Sequence, residues 1–498
     1  MDHEGMPSGV KKRDWTGTAV FCAALALLFV FFSQVHPLLL FDSDDWLYVS
    51  NTRSAYPLWE NWNPTRVLPE NLMSTASIVG GKLLVPLTGD YFAAISLTAE
   101  FLTSLCIAVY VYMFYRLLRR RYGVEAGPSA VLAALFLLAH FLIFRNNAYA
   151  NDYLFRSMNL TNYYFYMIPS LLVFSLIMGM TNRDVTALPW IGRRPVYGGF
   201  LILLIYLLMQ SNLYQSGVLA IWLFCAVIRD LIVNRGHETG FFGRNAVKLC
   251  GLLLWAVVLV FEANGGRAAS LASEDPLPER VLTSLNSAWQ KLSGVNVFFL
   301  VFCGLCAIGF LLMFFLRFRK EGGEAGGLFL FHLIVGILCF WYIVALCAWT
   351  GPANAAAADI QFNFLFFFLL LAFASSGALI ASRPKLAAVL PLVLCVLLFE
   401  TNTRWRTFLE SNSHMNTNPA IIRRIDADIL DQIVAADQAG ETAVTVRVPQ
   451  FNTGNNWPLP LYVGDRMSMT LYKHGVTMKQ MEITIQPDAA LNEKYHLP

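Results

Sequence analysis

Three carboxylates lie within four positions, at Asp42, Asp44 and Asp45, directly after the first long apolar run of the chain. Such a carboxylate can take the proton from an acceptor hydroxyl while that oxygen attacks an anomeric carbon. Neighbouring acids can raise the pKa of the base or hold a divalent cation. We therefore expect catalytic acids at these positions, with Mg²⁺ or Mn²⁺ as a candidate cofactor at Asp44 and Asp45. A solvated acidic helix cap is the alternative.

The segment 41–66 around these acids is rich in aromatic and arginine side chains. Trp46 and Trp62 can stack on sugar faces, although anchoring at the membrane interface explains each of them equally well. Arg66 adds a cation suited to a phosphate. The segment thus predicts binding of a sugar and a phosphate at a bilayer surface. Its other aromatic and arginine residues are Tyr48, Arg53, Tyr56 and Trp59.

A second polar cluster, Glu262, Asn264 and Arg267, follows a later apolar run. Arg267 can hold a phosphate through two hydrogen bonds and stabilise it as it leaves, and two intervening glycines allow close backbone approach. The alternative is an ordinary turn with one solvated arginine. We expect these three residues to bind substrate.

Two further places carry candidate substrate-binding residues. The segment 145–164 is dense in Asn, Tyr and Arg and contains Asp152 and Arg156, which suit sugar hydroxyls; a polar interfacial loop is the alternative. Glu100 lies about ten residues inside an apolar run, where an acid is a functional candidate by default. A hydrogen-bonded packing role is the alternative for Glu100.

The composition identifies the class of protein. Of 498 residues, 56% are apolar and 14% are charged, whereas soluble domains carry about a quarter charged residues. The chain is therefore expected to be an all-α polytopic membrane protein, which excludes nucleic-acid partners. All nine cysteines lie in apolar runs, so a disulfide framework is not expected.

We predict eleven apolar runs as membrane spans, the longer of which match the thickness of the hydrocarbon core. Lys and Arg are more than twice as frequent in the amino-terminal tail and every second loop as in the alternate loops. The positive-inside rule then places the amino terminus in the cytoplasm and the carboxyl terminus outside. The predicted spans are 18–40, 91–115, 129–144, 168–180, 197–209, 218–233, 249–261, 295–316, 328–349, 360–380 and 386–398.

The last fifth of the chain is not membrane-like. Residues 419–439 have the apolar periodicity of an amphipathic helix, and 443–449 and 481–485 alternate as strands. We expect two domains: a transmembrane catalytic domain over 1–401, with its first outer loop at 42–90, and a small outer α/β domain over 402–498.

The chain resembles the GT-C superfamily of membrane glycosyltransferases, most closely bacterial O-antigen-modifying glucosyltransferases. The resemblance lies in the topology and in four short motifs: DSDDW at 42–46, NLTNYYFYMIPSLL at 159–172, SNLYQSG at 211–217 and EANGGR at 262–267. It departs from that pattern at Tyr214, where relatives often carry an acid.

The resemblance implies an inverting hexosyltransferase of the bacterial inner membrane that uses a polyprenyl-phosphate sugar. Asp44 or Asp45 would be the base, Arg267 would hold the donor phosphate, and the acceptor would be a surface polysaccharide such as lipopolysaccharide O-antigen, or a lipid-linked glycan. The alternatives are a transporter or flippase, which needs polar residues through the spans, a polymerase of lipid-linked glycans, and a nonenzymatic assembly partner.

Overall fold

A computed structural model describes residues 14–57, 62–144, 153–234, 240–265, 275–313, 323–393, 395–396 and 417–497. These residues form a large helical part and a small carboxyl-terminal domain. The helices of the large part are α1 (Trp15–Val30), α2 (Ser43–Tyr48), α3 (Val67–Val79), α4 (Val85–Thr88), α5 (Tyr91–Arg121), α6 (Ala126–Leu142), α7 (Leu160–Asn162), α8 (Ile168–Asn182), α9 (Leu188–Gly192), α10 (Pro195–Met209), α11 (Leu213–Val233), α12 (Phe241–Ala263), α13 (Leu277–Leu292), α14 (Val297–Met313), α15 (Gly323–Thr350) and α16 (Ala358–Ser382).

Seven helices in the described part of the chain are long and apolar enough to cross a membrane. Four shorter apolar helices lie at 126–142, 195–209, 299–309 and 384–393. The expectation of a helical membrane protein is thus confirmed. Each predicted span overlaps one of these long or short helices, but the count of eleven crossings stays a prediction. The seven are Trp15–Val35, Tyr91–Arg121, Leu160–Asn182, Leu213–Val233, Phe241–Ala263, Gly326–Thr350 and Ala358–Ser382.

Aromatic side chains form the centre of the helical part. The rings of Phe114 on α5 and Phe136 on α6 stack at 4.1 Å, as do those of Phe174 on α8 and Phe366 on α16. Buried aromatic pairs of this kind add about 0.5–1.5 kcal/mol beyond their area. These ring pairs hold α5 against α6 and α8 against α16, and the ends of these helices carry the loops described below.

The carboxyl-terminal domain is built on two parallel strands, β1 (Ala443–Pro449) and β2 (Glu482–Asp488), paired from Ala443 with Glu482 to Pro449 with Asp488. Parallel neighbours need a long crossover, and α18 (Val463–His474) provides it. The predicted helix and both predicted strands are present, the second strand extending three residues further. The remaining helices are α17 (Pro419–Gln438) and α19 (Ala489–Tyr495).

This domain docks on the turn that carries the acid cluster. Arg466 Nη1 donates to the Ser43 carbonyl at 2.7 Å, and Thr470 Oγ1 donates to the Trp46 carbonyl at 2.9 Å. Lys473 Nζ donates to the Ser50 carbonyl at 3.0 Å. The Trp46 carbonyl lies in the last turn of α2, where a helix leaves carbonyls without an intrahelical partner, and the Thr470 hydroxyl satisfies it.

A buried carboxylate at this interface gives a testable pH dependence. Burial, then the charge of Asp45, raises the pKa of Asp426 well above its usual range, and Asp426 Oδ1 has no hydrogen-bond partner among the described residues. A folded pKa above the unfolded one means that stability falls as the pH rises between the two values. We predict that Asp426→Asn stabilises the protein at pH 7.5 by about 1–3 kcal/mol and less at pH 5.

The measurement is thermal unfolding in detergent at both pH values. Asp428→Asn on the same helix is the matched control: although burial alone would raise its pKa, hydrogen bonds from Lys494 and Tyr495 lower it. The control should therefore be neutral or destabilising at pH 7.5. Equal shifts for the two variants, or a larger gain for Asp426→Asn at pH 5, would contradict the assignment.

Candidate functional site

A cavity of about 650 Å³ lies within the helical part. Its wall comes from five separate chain segments: the turn at Thr65, residues 154–167, residues 212–214, the end of α12 and residues 346–360. These segments belong to the five loops that the charge pattern assigns to the outer side. The convergence places one cavity at one end of the helical part.

The polar part of the wall consists mainly of amides and hydroxyls, which match the donors and acceptors of a sugar. Among the described residues, two carboxylates, Glu262 and Asp359, and one guanidinium, Arg156, are the charged groups that line it. Glu262 is fixed, since its Oε2 accepts a hydrogen bond from Thr65 Oγ1 at 2.9 Å. The lining amides and hydroxyls are Asn159, Asn162, Asn212, Asn354, Thr65, Ser157, Thr350, Tyr163, Tyr166 and Tyr214.

The other part of the wall is apolar and reaches the outer surface of the helical part. Leu259 and Ala263 on α12 lie there with Leu346 and Trp349 on α15. Trp349 is 53% exposed. Exposed apolar side chains between two membrane helices are in contact with lipid in a bilayer. The cavity therefore has one polar side and one side open to apolar surroundings.

Asp42, from the acid cluster, serves as a helix cap. Its Oδ1 accepts hydrogen bonds from the backbone N–H groups of Asp44 (2.9 Å) and Asp45 (3.0 Å), which begin α2. Its Oδ2 accepts a hydrogen bond from the side-chain amide of Asn159. Asn159 lines the cavity, so Asp42 lies directly behind the cavity wall.

Asp45 is fully buried and ties the same two segments together. Its Oδ1 accepts from both the backbone N–H and the hydroxyl of Thr161, each at 2.7 Å, and its Oδ2 accepts from Phe41 N at 3.3 Å. Burial, then the charge of Asp42, raises the pKa of Asp45 well above its usual range. A buried, hydrogen-bonded acid of this kind has a structural role: it holds the two segments together.

Asp44 is the acid of this cluster that reaches solvent. Its side chain is 50% exposed, and its Oδ1 lies 3.5 Å from Arg466 Nη1 of the carboxyl-terminal domain. None of the three acids lines the cavity. Asp44 therefore sits between the helical part and the carboxyl-terminal domain, outside the cavity wall.

The expected Mg²⁺ or Mn²⁺ site does not fit this geometry. A metal bridging Asp44 and Asp45 must reach an oxygen of each, whereas Asp45 is fully buried and its oxygens are held by Thr161 and Phe41. No group of three or more His, Cys, Asp or Glu side chains suited to a metal occurs among the described residues.

The predicted aromatic and arginine ligands lie in different places. Trp46 is only 1% exposed and packs edge-on against Phe92, so the expectation that it stacks on a sugar is wrong: its ring is core. Trp62 Nε1 donates to Gln210 Oε1 at 3.0 Å beside the cavity segments. Arg66 Nη1 donates to Tyr48 OH at 2.8 Å and is held there away from the cavity lining.

Glu100 and Asn264 also lie outside the cavity lining. Glu100 is buried, and its Oε1 accepts a hydrogen bond from Leu38 N at 3.3 Å, which matches the packing alternative. Asn264 is exposed and its side-chain amide donates back to the Val260 carbonyl at 2.7 Å. Asp152, Arg267 and Trp59 lie outside the described residues, so their roles stay predictions.

Sequence reasoning missed Asp359, an acid of the cavity wall. It stands in the first turn of α16 and follows a run of four alanines. A single acid at the start of an apolar helix looks like an ordinary cap. The available signal was that it is the one carboxylate in the loop 350–359, directly before a predicted span.

Comparison with models of known protein families, with curated proteins and with solved structures found no match for this chain. The chemistry of the site must therefore be argued from its own residues.

The geometry predicts unequal stability effects for two neighbouring acids. Asp45→Ala removes the acceptor of one buried donor, Phe41 N, and of two part-buried donors on Thr161, and an unsatisfied buried donor costs about 1–3 kcal/mol. We expect a loss of several kcal/mol in unfolding free energy, seen as a lower unfolding temperature. Asp44→Ala removes one exposed, 3.5 Å ion pair and should change stability by less than about 1 kcal/mol. Similar losses for both variants would refute this division of roles.

Proposed function

We propose that this protein is a membrane glycosyltransferase that moves a sugar from a polyprenyl-phosphate donor to an acceptor glycan. The observation that carries the proposal is the single cavity into which all five predicted outer loops converge. A wall of amides and hydroxyls suits sugar hydroxyls. The acceptor would be a surface polysaccharide or a lipid-linked glycan on the outer face of a bacterial inner membrane.

The two sides of the cavity match the two parts of such a donor. The apolar side between α12 and α15 would receive the first isoprene units from the lipid, and the polar side would receive the sugar. Arg156 is the lining cation, and a guanidinium binds phosphate through two parallel hydrogen bonds. Because charge develops on the phosphate as it leaves, an arginine there favours the transition state over the ground state.

The reaction also needs a base beside the reacting carbon. We assign this role to Asp359, because it lines the cavity whereas Asp44 does not. The acceptor oxygen would bond to the anomeric carbon while the bond from that carbon to the phosphate oxygen breaks. The electron pair of the breaking bond goes to the phosphate oxygen, and the proton of the acceptor hydroxyl goes to the Asp359 carboxylate. Glu262 would then hold sugar hydroxyls, with its orientation fixed by Thr65.

The test is release of polyprenyl phosphate by purified protein in lipid, with a panel of polyprenyl-phosphate sugars and candidate acceptors. We expect Asp359→Asn to lower the rate at least about 100-fold, the usual range for loss of a general base. Asp44→Asn should lower it less than about 10-fold.

A larger loss of activity in Asp44→Asn than in Asp359→Asn would assign the base to Asp44 and leave the transferase proposal intact. A polymerase would instead join two lipid-linked glycans without consuming a monosaccharide donor. If no donor is cleaved, and the protein moves lipid-linked sugars across liposome membranes, the transferase proposal fails and the transporter alternative replaces it.

A second prediction concerns sugar binding. Glu262→Ala removes a cavity acceptor and should raise the donor KM about 10-fold, which is the usual cost of roughly one hydrogen bond to a charged group. Asn264→Ala, two residues away and turned back onto its own helix, is the matched control and should leave KM within about twofold. Equal KM values for the two variants would show that Glu262 does not contribute to donor binding.

A further inference from the structure

A second cavity lies at the opposite end of the helical part. Its volume is about 290 Å³, and its wall comes from the last residue of α5, the end of α8, the second half of α11, Lys248 on α12 and the beginning of α15. For α11, α12 and α15 the other end lines the outer cavity. The second cavity is therefore on the side to which the charge pattern assigns the cytoplasm.

Basic side chains outnumber acidic ones in the described wall of this cavity. Four basic and two acidic side chains line it in the part of the chain that the structure describes. Each of the acids has a lysine or arginine partner: Lys248 Nζ lies 2.8 Å from Asp184 Oδ2, and Arg244 Nε lies 3.0 Å from Asp230 Oδ1. The basic lining residues are Arg121, Arg183, Arg229 and Lys248.

The site is partly prearranged. Lys248 is 4% exposed, and its ammonium group is also held by the Arg244 carbonyl at 2.9 Å. The guanidinium of Arg229 lies over the ring of Phe331, 5.4 Å from its centre. Two wall residues have unused hydrogen-bonding capacity: the indole N–H of Trp222 and the side-chain oxygen of Asn182 have no partner among the described residues.

One edge of the cavity continues onto an apolar, outward-facing surface. Val233 lines the cavity and is 70% exposed, and Phe224, Ile228, Leu231 and Ile232 on the same helix are also exposed. At about 100° per residue, these last four side chains share one face of α11, which adjoins the cavity side where Ile232 neighbours Arg229, and in a bilayer that face contacts acyl chains. A cationic cavity beside a lipid-facing apolar helix fits a ligand that has an anionic head and an apolar tail.

We propose that this cavity binds the phosphate headgroup of an anionic membrane lipid from the cytoplasmic leaflet, with an acyl chain along α11. Arginine side chains bind the phosphate, the Trp222 N–H donates to it, and Asn182 accepts from a headgroup hydroxyl. This binding site is separate from the outer cavity and does not depend on the transferase proposal.

The test measures binding and stabilisation in detergent after delipidation. Phosphatidylglycerol, phosphatidylcholine and inorganic phosphate are added separately, and complexes are counted by native mass spectrometry alongside thermal unfolding. We expect phosphatidylglycerol to bind at least about tenfold more tightly than phosphatidylcholine, with binding weakened by salt as exposed charge pairs are screened. Inorganic phosphate should stabilise the protein far less.

Matched variants localise the site. Arg183→Gln with Arg229→Gln should abolish the preference for phosphatidylglycerol. Arg193→Gln with Arg194→Gln removes the same charge from the same side of the protein but outside the cavity, and should keep it. Trp222→Phe keeps an aromatic ring near Phe331 and removes the N–H together with part of the indole, so it should weaken binding several-fold without unfolding the protein.

Three results would overturn the proposal. Equal stabilisation by inorganic phosphate would show a free-anion site in place of a lipid site. Equal loss of the preference in both double variants would show that general surface charge explains it. If the double variant at Arg183 and Arg229 does not fold, undiminished binding by Trp222→Phe would exclude the cavity.

Discussion

The hydrogen bonds that Asp42 and Asp45 accept from residues 159–161 are the junction on which the site depends. They connect the first outer segment to the chain that forms one wall of the cavity. Removing a carboxylate from water costs several kcal/mol, while each hydrogen bond to a charged group returns about 1.5–3 kcal/mol. The several donors around each acid offset this cost, so the junction is stable only when both segments are in place.

The carboxyl-terminal domain is attached to the other side of the same junction. Arg466, Thr470 and Lys473 donate to backbone carbonyls of the acid-bearing turn and of the residues just after it. One short helix, α2, thus contacts the cavity wall on one side and the outer domain on the other. Asp44 is the exposed acid of this helix and faces the domain. A change in how the domain docks would therefore be transmitted to Asn159 through only a few bonds.

The sequence predicted the elements of this protein better than its site. Amphipathic and apolar periodicity depends on local side chains, and the helix at 419, the strand at 443 and the long apolar helices followed from it. The role of Asp42 could not be assigned from sequence, because an acid directly before a helix looks the same whether it caps the helix or acts as a catalytic base. The sequence suggests that Trp46 lies at the membrane interface, but its ring lies in the core. Asp359 enters the site only through the packing of α16 against α8 and α11, which no local pattern records.

The distribution of polar groups along the helices also bears on the choice between a transporter and a transferase. Along the helix Leu160–Asn182 and along α11 the polar cavity residues lie near the two ends. Between them Val173, Phe174, Ile177, Val218 and Leu219 are buried and apolar, with buried hydroxyls at Ser170, Ser175 and Ser216. A transporter must open a polar route through this region in every cycle, and breaking a packed aromatic and aliphatic layer is costly. An enzyme that meets a lipid-linked donor in the membrane plane needs no such route. The closed centre and the polar outer end therefore support transfer at one face over passage between two.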